Sequence, residues 1–298
     1  MTGLRRALAL LTLCAALPLA GCFNVDFMFF PGEALDEYTL PDNHIPEDQL
    51  EEVSFSTGGG ETIYGIWAYG DPGMPTLLYS HGNHKHLDTY WDRVMLKWDM
   101  GYTVFVYDYP SYGKSTGEPT EDAIFRSATA AHDHVVERLA SSAGGPPLAA
   151  ELGVIYYGFS LGSAPAIYQA AEVDEPAALI TEAALASSQG FVEDSTRVAL
   201  PASLLVTMEL DNVGRIPRVQ APKMFMHGAL DDYIGAHFSE ILYDAADAPK
   251  ELWLAPNGEH GNMVCDGYSS DCIDAPDESY NEWRAAVSGF TGEWVPVP

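Results

Sequence analysis

Apolar and polar positions alternate in blocks along most of the chain. Short continuous apolar runs, rich in β-branched and aromatic residues, occur at Thr76 to Ser80, Tyr102 to Asp108, Gly153 to Gly158, Ala178 to Thr181, Lys223 to His227 and Glu251 to Leu254. Runs of this kind read as strands buried on both faces. Helical patterns fall near Thr89 to Met100, Glu121 to Ala140, Leu161 to Ala171, Phe238 to Ala246 and Glu278 to Phe290. The alternation predicts an α/β architecture, a mostly parallel sheet covered by helices on both sides. Sites in such sheets lie beyond the C-terminal ends of the strands. Ahead of this series, Glu52 to Ser56 alternates like a half-buried strand, Gly58-Gly59-Gly60 turns, and Thr62 to Ala68 returns as its hairpin partner. Ser141 to Pro147 reads as a linker within one domain, and no internal repeat or low-complexity tract interrupts the pattern.

The first residues break the rhythm. Arg5 and Arg6 precede an apolar stretch, Ala7 to Leu17, too short to span a bilayer comfortably. Positive residues followed by such a stretch mark residues 1–21 as a signal peptide. Leu19-Ala20-Gly21-Cys22 resembles the bacterial lipobox, which implies that Cys22 becomes the lipid-bearing first residue of the mature chain. Several acyl chains on one residue give stable anchoring where a single chain gives marginal binding. Phe23 follows where Asp would retain such lipoproteins in the inner membrane, so the resemblance points to the outer membrane of the cell envelope, on its periplasmic or surface face. Residues 22–50 are expected to form a leader and tether, and residues 51–298 the folded domain.

Composition narrows the partners. The 298 residues carry a net charge of −29. That balance excludes nucleic acid as a partner, since its affinity rests on neutralising phosphates, and it disfavours an electrostatic hold on anionic lipid. With Cys14 in the discarded segment and Cys22 lipid-bearing, Cys265 and Cys272 remain as an even pair in a polar loop. In an oxidising compartment these two are expected to form a disulfide.

The chemistry concentrates at Val154 to Ala166. An apolar strand runs into Gly158-Phe159-Ser160-Leu161-Gly162 and then into a helical pattern. A serine on a sharp strand-to-helix turn exposes its hydroxyl above a helix N-terminus, where free N–H groups favour developing negative charge. Gly113-Lys114-Ser115-Thr116-Gly117 matches the same spacing. Pro110 parts it from the strand before it and Pro119 follows where a helix would start, so it reads as a polar loop. A serine hydroxyl needs a base, and the base an orienting acid. The best base is His260, in a Gly-flanked loop after the last strand; the best acid is Asp231, in the loop after the preceding strand. Asp232 and Glu182 stay open as alternative acids. For the oxyanion, the backbone N–H groups of Leu161 and of Asn83, in the loop His81-Gly82-Asn83, are expected to be the donors.

The order Ser160, Asp231, His260 is that of the α/β-hydrolases. Leu78 to Asn83, Asp108 to Ser115, Gly158 to Ser163, Met226-His227-Gly228 with Asp231, and Gly258-Glu259-His260 together resemble that superfamily from about Phe29 to Trp294. More narrowly, they resemble its short-capped, often membrane-tethered serine hydrolases. The resemblance implies a carboxylic ester or thioester hydrolase that acts on a small acyl ester or lipid and uses neither metal nor cofactor. It also implies a short cap at about residues 184–220. The chain departs from the family at Pro110-Ser111, where Arg-Gly is usual, at Gly235, and in the extra histidines His84 and His86, which read as polar walls and not metal ligands. A serine peptidase and a non-catalytic binding lipoprotein are the alternatives.

Overall fold

The computed structural model describes residues 25–141, 145–195, 201–261 and 278–295. The apolar runs form eight strands: β1 Leu50–Ser56, β2 Thr62–Ala68, β3 Thr76–Ser80, β4 Thr103–Tyr107, β5 Val154–Phe159, β6 Ala178–Glu182, β7 Lys223–Gly228 and β8 Lys250–Ala255. They lie in one sheet in the order β1-β2-β4-β3-β5-β6-β7-β8. β1 and β2 pair antiparallel, as do β2 and β4; all later pairings are parallel. Every residue of β3 to β7 is buried, as the unbroken apolar runs require. The edge strand β1 is only partly buried and exposes Glu51 and Glu52, charges that blunt a free edge.

The main helices are α1 Trp91–Trp98, α2 Glu121–Ala140, α3 Ser163–Tyr168, α4 Ser188–Ser195, α5 His237–Ala245 and α6 Glu278–Trp294. One face of the sheet is covered by α2, α3 and α5 through Ile124, Phe125, Ile167 and Leu242. The other is covered by α1 and α6 through Trp91, Val94, Trp283 and Phe290. α2 shows why its ends fall where they do. The Thr120 hydroxyl accepts from the Ala123 N–H at 3.2 Å, Glu121 and Asp122 fill the first turn, and Arg138 sits in the last.

Two elements differ from the sequence pattern. The segment after Ser160 is not one helix: a tight turn over Ser160–Gly162 precedes α3, and a wider turn over Gln169–Val173 follows it. α4 was not predicted. Its sequence Ser-Gln-Gly-Phe-Val-Glu-Asp-Ser has weak helix propensity, and packing of Val192 overrides it.

The leader lies along the domain. Phe29 and Phe30 are buried, Gly32 and Ala34 bridge to Lys85 and Gly113, and the Val25 N–H donates to the Leu205 carbonyl at 2.8 Å. Among the described residues no helix is long and apolar enough to cross a membrane. Residues 1–21, Cys22, Cys265 and Cys272 lie outside the described residues.

Candidate active site

The parallel strands end on one side of the sheet, and the loops there carry the predicted residues. At the end of β5 the chain reverses into α3 through a three-residue turn that begins at the residue after Phe159. Ser160 takes that position with φ 53°, a left-handed conformation that a non-glycine residue holds only under constraint. The turn crosses directly over the end of β3, and a Cβ on Gly162 would collide with the Ser80 carbonyl oxygen. Ser160 is buried, with its hydroxyl directed at the loop after β8.

That loop brings His260 to Ser160. The imidazole Nε2 lies 3.0 Å from Ser160 Oγ, and Nδ1 lies 2.7 Å from Asp231 Oδ2. A neutral imidazole with its proton on Nδ1 donates to Asp231 and accepts from the Ser160 hydroxyl. The acid and base loops are held together by the Leu230 N–H, which donates to the Gly258 carbonyl at 2.9 Å.

Asp231 is fixed by four donors. Its Oδ1 accepts from the backbone N–H groups of Tyr233 and Ile234 at 3.0 and 2.8 Å. Its Oδ2 accepts from His260 and, at 3.1 Å, from His227 Nε2. Burial penalises the carboxylate, but the hydrogen bonds from His227 and His260 outweigh it and hold the carboxyl well below its ordinary range. His227, at the end of β7, is therefore part of the site's framework. Its ring is locked by Ser239 Oγ at 2.7 Å on Nδ1 and the Ile234 carbonyl at 2.8 Å on Nε2.

The alternative acids stand elsewhere. Asp232 is exposed and lines the cavity described below. Glu182, at the end of β6, turns away from His260. Its Oε1 pairs with Arg93 at 2.8 Å and its Oε2 accepts from the Tyr157 hydroxyl at 2.5 Å. Burial works against this carboxylate, and Arg93, Lys97 and Tyr157 more than compensate, so its pKa falls below the usual value. Ser115 is also accounted for. Its hydroxyl donates to the Asp108 carbonyl and accepts from the Tyr64 N–H, a structural link with no access to the site.

The loop after β3 is pinned by tyrosines. The Tyr109 hydroxyl donates to the His81 carbonyl at 2.6 Å, Tyr112 donates to the Asn83 carbonyl at 3.1 Å, and Tyr90 accepts from the His84 N–H at 2.8 Å. Below them, His81 Nε2 lies 3.1 Å from Asp108 Oδ1, and Asp108 also accepts from the Leu87 N–H and the Tyr38 hydroxyl. Asn83, Leu161 and Ser160 open onto one cavity of about 480 Å³, walled mainly by Met28, Phe29, Phe191, Tyr233 and Ile234. Among the described residues no group of three or more His, Cys, Asp or Glu side chains is placed to hold a metal; His84 and His86 have no such company.

The strand order, with antiparallel strands at one edge and three loops converging beyond the parallel ends, has close parallels among solved structures. The Pyrococcus furiosus esterase Pf2001 superposes with a TM-score of 0.65 at 18% identity, covering 89% of this chain and 99% of that one. The fold is that of the α/β-hydrolases. Among proteins similar to this chain in sequence, the α/β-hydrolase domain-containing protein aho-3 of Caenorhabditis elegans is 30% identical over 191 residues, 63% of this chain. The chain spans only 53% of that relative's length. Human α/β-hydrolase domain-containing protein 17B is 29% identical over 219 residues, covering 72% of this chain and 70% of its own. No protein-family model matches the chain.

Proposed function

We propose that the protein is a serine hydrolase of carboxylic esters or thioesters that works through an acyl-enzyme. One observation carries this reading: the unbroken hydrogen-bonded line from Ser160 Oγ through His260 to Asp231, at 3.0 and 2.7 Å. Ser160 Oγ attacks the substrate carbonyl carbon, and its proton passes to His260 Nε2. Asp231 holds the imidazolium that forms. The carbonyl oxygen becomes an oxyanion, and the N–H groups of Leu161 and Asn83 are its donors. The intermediate collapses, the C–O or C–S bond breaks, and His260 gives the proton to the leaving alkoxide or thiolate. A water then repeats the sequence on the acyl-enzyme and releases the acid. No step requires a cofactor.

The apolar cavity wall supports an acyl group as the part of the substrate bound, in the size range of small-molecule sites. The structural and sequence relatives, an esterase and α/β-hydrolase domain-containing proteins, agree with hydrolysis. The mature chain in this reading begins at Cys22, is anchored through lipid on that residue in the bacterial cell envelope, and carries a Cys265–Cys272 disulfide. Intact-mass measurement before and after reduction tests both modifications.

The deciding experiment is labelling with a fluorophosphonate, beside Ser160→Ala, followed by matched p-nitrophenyl esters and anilides of increasing acyl length. Labelling that depends on Ser160, with turnover of esters and an optimum in chain length, is expected. Faster turnover of the anilides would make the protein a peptidase. No labelling of folded protein would move it to the non-catalytic class.

A further inference from the structure

The cavity mouth is framed by apolar side chains that face solvent. Among the described residues eight large apolar side chains are exposed, and four of them stand on the segments bordering this mouth: Phe27 at 74%, Met28 and Leu204 at 61%, and Tyr233 at 50%. Met28 and Tyr233 line the cavity directly. Phe27 shares a tight turn, Asp26–Met28, with Met28. Leu204 is brought beside them because the Val25 N–H donates to the Leu205 carbonyl and Asp26 Oδ1 accepts from the Thr207 N–H at 2.9 Å. Exposed large apolar groups scattered singly need no explanation, but a group of them around one opening marks a surface that meets something apolar.

Two further observations say what that is. The cavity-lining residues include Asp194 and Asp232 and neither Lys nor Arg, so an anionic surface is repelled. The chain leading out of this rim is also short. Cys22, read above as lipid-bearing, stands three residues before Val25, a reach of at most about 10 Å. Acyl chains on Cys22 leave the rim no room to stand away from the membrane. Tyr233, apolar in body and polar at its tip, suits the headgroup boundary.

We propose that the rim of Phe27, Met28, Leu204 and Tyr233 rests on a lipid bilayer of zwitterionic headgroups, so that the cavity opens onto the membrane surface. The docking does not depend on the hydrolase reading. Its consequence for substrate does: an acyl ester would enter Ser160's cavity from the bilayer side, without crossing water.

The test has two arms. In the first, purified mature protein, as isolated from the cell envelope, is bound to phosphatidylcholine vesicles doped with a diazirine-bearing phosphatidylcholine, irradiated and mapped by mass spectrometry. Crosslinks at Phe27, Met28 and Leu204 are expected, with Val136 and Ile241 unlabelled. Crosslinks confined to Val136 or Ile241, or none at the rim, would overturn the proposal. So would rim residues shielded by a second copy of the chain. In the second arm, a long-chain ester dissolved in the vesicles is compared with soluble p-nitrophenyl butyrate. F27S/L204S is expected to lose at least tenfold on the bilayer ester and less than twofold on the soluble one, while V136S/I241S keeps both. Equal loss on both substrates would count against docking. A wild type inert on both would sink the hydrolase reading, and the crosslinks would still decide the docking.

Discussion

The Arg93 guanidinium lies 3.3 Å from the centroid of the Phe159 ring, the residue immediately before Ser160. The same group pairs with Glu182 at 2.8 Å and donates to the carbonyl of Gly261, the residue after His260, at 3.3 Å. One buried cation on α1 thus touches the neighbours of both the proposed nucleophile and the proposed base. Arg93 is a positioning residue in this arrangement. Removing it leaves the Glu182 carboxylate buried with its main compensating charge gone, a change that typically destabilises by about 3–5 kcal/mol. Arg93→Met is expected to lower stability by that order. In R93M/E182Q, where the amide can still accept from Tyr157, part of the loss should return, with a coupling of roughly 1–3 kcal/mol. Urea unfolding of both singles and the double measures it. In those Arg93→Met molecules that fold, kcat should fall roughly tenfold to a hundredfold with little change in KM, because the reacting groups are displaced and not removed.

Asp231→Asn keeps the shape of the acid loop and loses the charge that orients His260. Turnover of an ester should fall about 10⁴-fold. The carboxyl lies well below its ordinary range in the folded protein, so its contribution to stability is present above about pH 4 and is lost as pH falls toward the folded value. The Asn variant should therefore show a shallower decline of stability in acid than the wild type, measured by denaturant unfolding between neutral pH and pH 3.

Tyr112→Phe removes the hydroxyl that holds the Asn83 carbonyl. The Asn83–His84 peptide then keeps only its His84 N–H bond to Tyr90, so the loop that presents the Asn83 N–H is held less firmly. A lost oxyanion donor costs about 100- to 1000-fold, and a loosened one less. A fall of roughly tenfold in kcat is expected, with Ser160 still labelled by fluorophosphonate. An unchanged kcat would show that the Tyr112 hydroxyl does not position the loop that carries Asn83.

Lys97, one turn after Arg93, is buried among Tyr79, Tyr157 and Trp283 and donates to the Arg93 carbonyl at 3.2 Å. Burial pushes its ammonium down to about 7, with Glu182 opposing. In the unfolded chain it titrates near its ordinary value of about 10.4. Between these values the unfolded state holds a proton that the folded state has released, so stability should rise with pH from about 7 to about 10. Below about pH 7 both states are protonated and the burial penalty is fully expressed. Lys97→Met should flatten that rise and stabilise the protein at pH 6 by roughly 2–4 kcal/mol. Urea midpoints across the pH series check both.

The residues that converge were readable because each follows an apolar run. Ser160, Asp231 and His260 stand in glycine-flanked loops directly after β5, β7 and β8, and parallel strands deliver such loops to one side. The groups that hold them were not readable. Arg93 sits at a helical position that a charged residue usually turns to water, and its burial depends on Glu182 arriving from a strand far along the chain. His227 reads as one more residue of β7; only the bend of the following loop puts Asp231 Oδ2 beside its Nε2. The tyrosine pins on residues 81–84 escape for the same reason. Each hydroxyl acts across a gap between segments that no periodicity links. α4 escapes the pattern because local preference disagrees with the packing that forms it.

The distance along the chain between Ser160 and His260 has a consequence for folding. One hundred residues separate them, and the base arrives on the loop after β8, which can pair only once β7 is in place. A chain that ends before Lys250 holds Ser160 and Asp231, the proposed nucleophile and acid, without His260. The proposed triad is therefore completed only when the last strand docks.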